Sequence, residues 1–299
     1  MKILVSGATG LIGRALFSRL RSEEHVVSIL SREESKLGAK RILWDPMNNR
    51  LDRAELEGFD AVVHLAGRNI AQGRWNEAVK QEIYDSRVRG TQLLSTALSE
   101  IANPPRVLVS ASAIGYYGAQ RTEELSEASE AGSGFLAEVC RAWEKSTAAA
   151  ETRGIRVVHS RFGLVLSPEG GALKQMLIPF RLGLGGKIGT GSQYLSWVSL
   201  DDVCSAILHL INTDTLRGPV NVVSPTPVTN VEFTRVLSWA VKRPAFLSVP
   251  AGVLRFLLGE MADELLLTNL RVLPKLLGET GFNFKHAELE HTLRQLLSG

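Results

Sequence analysis

An apolar run at the start of the chain, Lys2–Ser6, meets the segment Gly7-Ala8-Thr9-Gly10-Leu11-Ile12-Gly13. Residues 11–21 then place Ile12, Ala15, Leu16 and Leu20 at helical spacing. Strand, glycine turn and helix in that order is the context in which such glycines hold a diphosphate. The turn leaves the first N–H groups of the helix unpaired and pointing outward. A diphosphate can accept them, helped by the partial positive charge of the helix start. Gly7 allows the tight turn, Gly10 a close backbone approach and Gly13 the packing of helix on strand, while Thr9, Leu11 and Ile12 complete the expected binding turn. The glycine spacing differs from the usual dinucleotide fingerprint, so it is the position at the head of a strand–helix unit that carries the weight.

Further strand-like runs fall at residues 26–30, 41–44, 60–66, 106–112 and 155–162, and long helical patterns at 75–101 and 134–153 separate the later ones. Strands alternating with helices of this length predict a parallel sheet with helices on both faces. The expected fold class is therefore α/β, a doubly wound, Rossmann-type sheet. Residues 168–196 are glycine-rich and read as a long loop, the kind that in compact domains tends to be functional. A strand at 197–200, a helix capped by Asp201 or Asp202 and running to Ile211, and a strand at 218–223 follow, then a mostly helical tail from Asn230 broken at Pro244 and Pro250. This divides the chain into a cofactor-binding domain, 1–167 plus 197–225, and a smaller substrate domain, 168–196 plus 226–299.

The end of the second strand sets the form of the dinucleotide. A free ribose 2′-hydroxyl is ordinarily met there by Asp or Glu, and this chain has Leu30-Ser31-Arg32. A guanidinium pairs with a 2′-phosphate through charge-assisted bonds of roughly 1.5–3 kcal/mol each, about ten- to a hundredfold in preference. The expected cofactor is NADP(H), bound with Ser31 and Arg32. Glu33 and Glu34 follow at once, and a different loop path would present one of them to the ribose instead.

Composition narrows the partners. The 34 basic residues against 31 acidic ones form no long basic block, which argues against nucleic acid. No stretch reaches ~18 uninterrupted apolar residues, so no membrane partner is expected. Cys140 and Cys204 have neither CxxC nor zinc spacing, and the 6 histidines form no ligand set, so no metal is expected. His64, ending an apolar strand, reads as structural. Without a signal-peptide pattern the expected setting is a reducing cytoplasm. The expected partner is a small-molecule substrate, and pairing into a homodimer is open.

Taken with His64-Leu65-Ala66-Gly67, Trp75-Asn76-Glu77, Ser86-Arg87, Gly90-Thr91, Gly189-Thr190-Gly191 and Gly281-Phe282-Asn283-Phe284, these motifs resemble the extended short-chain dehydrogenase/reductase superfamily. Within it the chain is similar, over essentially its whole length, to the atypical epimerase family proteins. The resemblance implies an NADP-binding Rossmann domain with an interleaved second domain. It implies Leu65 and Ala66 along the cofactor, Glu82 and Arg87 reaching it from the helix after the fourth strand, and Val165 beyond the sixth. Arg87 stands where ordinary extended members carry Asn, and fits the subgroup. Superfamily reductases place Tyr-x-x-x-Lys on the helix before the sixth strand, where the lysine lowers the tyrosine pKa for proton exchange during hydride transfer. That helix contains no tyrosine here. The two positions fall at Leu136 and Cys140, which read as packed core.

Other groups then become candidates for the proton. Ser112 closes the fifth strand at the carboxyl edge where such sheets bind ligands. Tyr116-Tyr117-Gly118 resembles the superfamily's Val-Tyr-Gly segment. Ser112 and Tyr117 are the candidate catalytic residues, although a tyrosine with no neighbouring lysine stays near its ordinary pKa of ~10 and is a poor base at neutral pH. Lys174, Arg181 and Lys187 in the glycine-rich insert suit an anionic substrate such as a nucleotide sugar, with a solvated loop as the alternative. Two functions stand out: an NADP-dependent oxidoreductase or epimerase acting on a carbonyl compound or nucleotide sugar, and a non-catalytic NADPH sensor. A scaffold using the C-terminal helices is a third.

Overall fold

Several strands bury consecutive residues rather than alternate ones, which is how a sheet covered on both faces reads. The computed structural model, which describes residues 1–33 and 37–298, has such a sheet at its centre. The chain begins β1 (Lys2–Ser6), α1 (Leu11–Ser22), β2 (Val26–Ser31), β3 (Lys40–Asp45), β4 (Arg50–Leu51), β5 (Ala61–His64), α2 (Glu77–Ser99) and β6 (Val107–Ala113). It continues through β7 (Gln120–Leu125), α3 (Phe135–Lys145), α4 (Ala148–Thr152), β8 (Arg156–Phe162), β9 (Leu164–Leu166), α5 (Gly171–Arg181), β10 (Gly186–Ile188), β11 (Tyr194–Leu195), β12 (Trp197–Ser199) and α6 (Leu200–Asn212). The last elements are β13 (Gly218–Val222), β14 (Val228–Thr229), α7 (Asn230–Ala240), β15 (Leu247–Val249), α8 (Ala251–Leu258), β16 (Asn269–Val272), α9 (Lys275–Glu279) and α10 (Leu289–Leu297).

The main sheet has the order β13-β8-β6-β5-β1-β2-β3-β4, parallel throughout except for the β3–β4 pair. Ile3, Val5, Val63, Val109 and Val158 pack on one face with Leu16 and Leu20 of α1 and Ile207 and Leu210 of α6. Leu4, Val62, Leu108 and Val157 pack on the other with Leu94 and Leu98 of α2. A further cluster joins Leu173, Leu177 and Phe180 of α5, Phe233 and Leu237 of α7, and Leu289 and Leu293 of α10.

Three local expectations are corrected. The segment 168–196 is not a continuous loop, because it holds α5, β10 and β11. Leu173, Leu177 and Phe180 recur at helical spacing and are buried, a signal masked by flanking glycines and by Pro179 inside the helix. The pattern at 134–153 is two helices, because the Ser146 and Thr147 hydroxyls donate to the carbonyls of Ala142 and Glu144 and end α3 there. The cap of α6 is Ser199, whose hydroxyl accepts the Asp202 N–H at 3.0 Å. The Asp202 carboxylate instead accepts the backbone N–H groups of Lys285 and His286, holding the C-terminal segment to α6.

Candidate cofactor and active site

Gly7 follows β1 at φ +68°, and a Cβ there would stand 2.7 Å from the Leu65 backbone. At Gly13 a Cβ would stand 2.1 Å from the Gly7 carbonyl oxygen, so helix and strand pack at a distance only glycine permits. The Gly10 N–H donates to the Gly7 carbonyl at 3.0 Å, closing the turn. Gly10 then caps α1 with no side-chain hydrogen bond, leaving the N–H groups of Leu11 and Ile12 without a capping oxygen. Thr9 and Gly10 are exposed at this mouth.

Buried polar groups fix the neighbouring β5 end. The Ser6 hydroxyl accepts the N–H groups of Leu65 (3.1 Å) and Ala66 (3.3 Å) and lies 2.7 Å from His64 Nδ1. His64 Nε2 is 3.0 Å from the Thr91 hydroxyl, which also accepts Trp143 Nε1–H. Burial pulls the His64 pKa down to about 4, so the ring is neutral and joins strand to helix.

The parallel register pairs Ser6 with Leu30, which sets Ser31 and Arg32 at the same sheet edge as the glycine turn. The Ser31 hydroxyl donates to the Glu33 carbonyl at 2.7 Å, and Arg41 donates to the Arg32 carbonyl at 3.3 Å. The Arg32 side chain is exposed, and among the described residues no carboxylate lies within ion-pair distance of it. Glu33 is exposed beside it, and Glu34 lies outside the described residues. Leu11 meets the start of α5, since a Cβ on Gly170 or Gly171 would lie 3.1–3.2 Å from its methyl groups. The Val165 carbonyl oxygen lies 3.9 Å from the same Gly171 Cβ position.

Arg87 reaches in from α2. Its guanidinium donates to the carbonyls of Ile83 (3.2 Å) and Arg68 (3.1 Å), lies over the Trp143 ring at 5.1 Å and sits under Gly67. Among the described residues it has no carboxylate partner, and burial pulls its pKa down to about 10. A half-buried cation left uncompensated beside a diphosphate-type turn suits a site for an anionic ligand. Glu82 is exposed and pairs with Arg68.

The proton-handling candidates sit deeper. Ser112 donates to Glu144 Oε1 at 2.7 Å, and Arg161 forks onto both oxygens of that carboxylate at 2.8 Å. Arg161 also donates to the Tyr117 hydroxyl at 3.0 Å, and Tyr117 donates to Asn221 Oδ1 at 2.8 Å. Burial works against the Arg161 charge, but the Glu144 bonds outweigh it and hold the guanidinium protonated. Burial raises the Tyr117 pKa more than Arg161 lowers it, so the phenol keeps its proton. Arg161 and Glu144 were missed in the sequence reading. Their signal was Arg161 inside the strand-like run 155–162, since a charge on a buried strand needs a partner. The half-exposed Tyr116 ring lies 3.4 Å from the Arg161 guanidinium.

Leu136 and Cys140 on α3 are buried against Gly115, where a Cβ would lie 3.3 Å from Leu136 and 3.9 Å from the Cys140 sulfur. Burial pushes the Cys140 thiol up to about 11, so it packs as a small apolar group. No tyrosine in the chain is followed four residues later by lysine. Of the insert cations, Lys174 donates to the Glu169 carbonyl, Arg181 is exposed, and Lys187 lines a separate cavity beside α7. Among the described residues no cluster of His, Cys, Asp and Glu is arranged to hold a metal, and no helix is long and apolar enough to cross a membrane.

Comparison with known proteins bears on this site. Residues 3–223 match the NAD dependent epimerase/dehydratase family, and residues 249–296 match a domain of unknown function, DUF1731. The chain is 42% identical to the epimerase family protein Mb2239 of Mycobacterium bovis over 97% of this chain and 96% of that one. It is 37% identical to the human epimerase family protein SDR39U1 over the full length of both. The crystal structure of that human protein with NADPH is similar at a TM-score of 0.91 over 100% of both chains, with 34% sequence identity. A nucleoside-diphosphate sugar epimerase from Corynebacterium glutamicum is similar at a TM-score of 0.81 and 33% identity, covering 100% of this chain and 58% of that one.

Proposed function

The chain belongs to the NAD dependent epimerase/dehydratase family, and on that premise we propose that it binds NADP(H) and uses it in redox chemistry on a small carbonyl compound or nucleotide sugar. The observation that carries the proposal is the uncapped start of α1 set at one sheet edge with Arg32, which among the described residues has no carboxylate within ion-pair distance. The human relative whose structure contains NADPH, 34% identical over its full length, supports it.

In this reading the N–H groups of Leu11 and Ile12 bind the diphosphate, with Gly7, Thr9, Gly10 and Gly13 giving the backbone room. Ser31 and Arg32 hold the 2′-phosphate. Leu65, Ala66 and Val165 pack along the cofactor, Glu82 orients Arg68 at the rim, and Arg87 supplies the inner positive charge. Bound there, the nicotinamide supplies or takes up hydride. Residues 168–196 and 226–299 form the substrate side.

Ser112 and Tyr117 are the proton-handling pair of this proposal, within a limit that their bonding sets. Each hydroxyl already donates inside a buried network, to Glu144 and to Asn221, so it can pass a proton only by giving up that bond. Tyr117 keeps its proton at neutral pH and can serve as an acid, not a base. This limit, together with the packed Leu136 and Cys140, favours a second reading in which the protein binds NADPH as a sensor without turnover.

Fluorescence titration tests the first step. NADPH is expected to bind about tenfold or more tightly than NADH, and Arg32→Ala to remove that preference by weakening NADPH alone. Equal affinities in the wild type refute the assignment of Arg32. A panel of nucleotide sugars, aldehydes and quinones then separates the readings. NADPH oxidation that falls on Ser112→Ala and Tyr117→Phe supports the enzyme, and none across the panel supports the sensor.

A further inference from the structure

A cavity of about 760 Å³ opens on the outer side of α7, between that helix, the segment 242–247 and β10. It is separate from the cofactor crevice, because Phe233, Val236 and Leu237 on the other side of α7 are packed into the core, and no cofactor-site residue lines it. Lys187, Arg235, Lys242 and Arg243 line it with no aspartate or glutamate among the walls. Among the described residues none of these cations has a carboxylate within ion-pair distance. The Lys187 ammonium donates to the Thr190 carbonyl at 3.4 Å, and the Arg235 guanidinium lies over the Trp239 ring at 4.7 Å. Lys242 stands at φ +54°, a left-handed position at the end of α7 where glycine would be relaxed.

Two large aromatic faces complete the cavity: Trp239 is 53% exposed and Phe246 is 90% exposed. The chain's net charge is only +3, so four unneutralised charges here concentrate the positive field in one concave site. A second copy of this chain docked symmetrically on the same face would set these cations against themselves. The charge calls for a compact, multiply charged anion, the exposed rings offer π-faces for a planar base, and the volume lies in the range of small-ligand sites. We propose that this cavity is a second nucleotide site that binds a nucleoside polyphosphate independently of the cofactor crevice, with phosphates on Lys187, Lys242 and Arg243 and the base against Trp239 and Phe246.

The test is calorimetric titration of ATP into the full chain presaturated with NADPH. One ATP is expected to bind per chain, more weakly as salt is raised, and more tightly than inorganic triphosphate. Lys242→Ala/Arg243→Ala is expected to weaken ATP by about tenfold or more with NADPH binding unchanged. Trp239→Ala is expected to weaken ATP by roughly fivefold or more and to leave triphosphate unchanged. Unchanged NADPH binding also reports that each variant is folded. The variants locate the site, so this result stands apart from the cofactor preference of the crevice. No heat of binding at millimolar ATP overturns the proposal, as does equal affinity for ATP and triphosphate, tighter binding of a hexaglutamate peptide than of ATP, or no effect of the double variant.

Discussion

Replacing Arg87 by methionine is expected to leave the cofactor-free protein at least as stable as the wild type while removing much of its affinity for NADPH. The Arg87 guanidinium is pulled by burial well below its ordinary value, down to about 10. At ~1.4 kcal/mol per tenfold change in the protonation equilibrium, holding the charge in the folded protein costs about 3 kcal/mol at neutral pH. The sign follows from the direction of the shift. The folded pKa lies below the unfolded one, so folding disfavours the charged form at every pH below about 10 and the penalty fades only above it. Against this stand two hydrogen bonds to the carbonyls of Ile83 and Arg68, about 1 kcal/mol each. Methionine keeps the contact with the Trp143 face. The balance is a gain of roughly 1 kcal/mol, or about 2–4 °C in Tm for a chain of this size. An anion bound at the site compensates the guanidinium, and losing that charge-assisted contact is expected to weaken NADPH by about ten- to a hundredfold. Differential scanning fluorimetry with and without NADPH reads both effects. A cofactor-free Tm lowered by more than about 5 °C with NADPH affinity intact would refute the reasoning and make Arg87 a structural strut.

Gly13→Ala puts a Cβ 2.1 Å from the Gly7 carbonyl oxygen, so NADPH binding should be lost in a titration. Retained affinity would show that the turn tolerates separation of helix and strand. Glu144→Gln leaves Arg161, with a side chain only 3% exposed, without its counter-charge. A loss of about 3–5 kcal/mol, roughly 10 °C in Tm, is expected, with partial recovery in Glu144→Leu/Arg161→Met. A single variant that melts like the wild type would contradict the buried pair. His64 is held neutral down to about pH 4, whereas in the unfolded chain it protonates near ~6.5. Stability attributable to it is therefore fully present above ~6.5 and falls by up to about 3 kcal/mol as pH drops toward 4. Urea midpoints of wild type and His64→Gln should converge over that range, and parallel curves would exclude the effect.

The parallel sheet, the order of strands and helices through its first half, and the glycine turn were legible because each rests on local signals. Apolar runs at strand length, helical spacing in residues 11–21, and glycines at a strand–helix junction need no distant contact to be read. Helix α5 was not legible, because Leu173, Leu177 and Phe180 declare a buried face only once α7 and α10 supply the surface that covers it. The cap of α6 was misread because Ser199, Asp201 and Asp202 all have capping chemistry, and the choice was made by the backbone of Lys285 and His286, 83 and 84 residues away, claiming the Asp202 carboxylate. The residues at the strand ends, Ser31 and Arg32 among them, could be placed at one sheet edge from sequence because a strand carries its register with it. The Ser112–Glu144–Arg161–Tyr117–Asn221 network could not, since its members come from separate elements and their hydrogen bonds exist only when β6, β8, β13 and α3 are packed together. The sequence alone thus determined where a glycine turn joins a strand to an uncapped helix. Tertiary structure decided which side chains are free to act, because freedom depends on what neighbouring elements have already bonded.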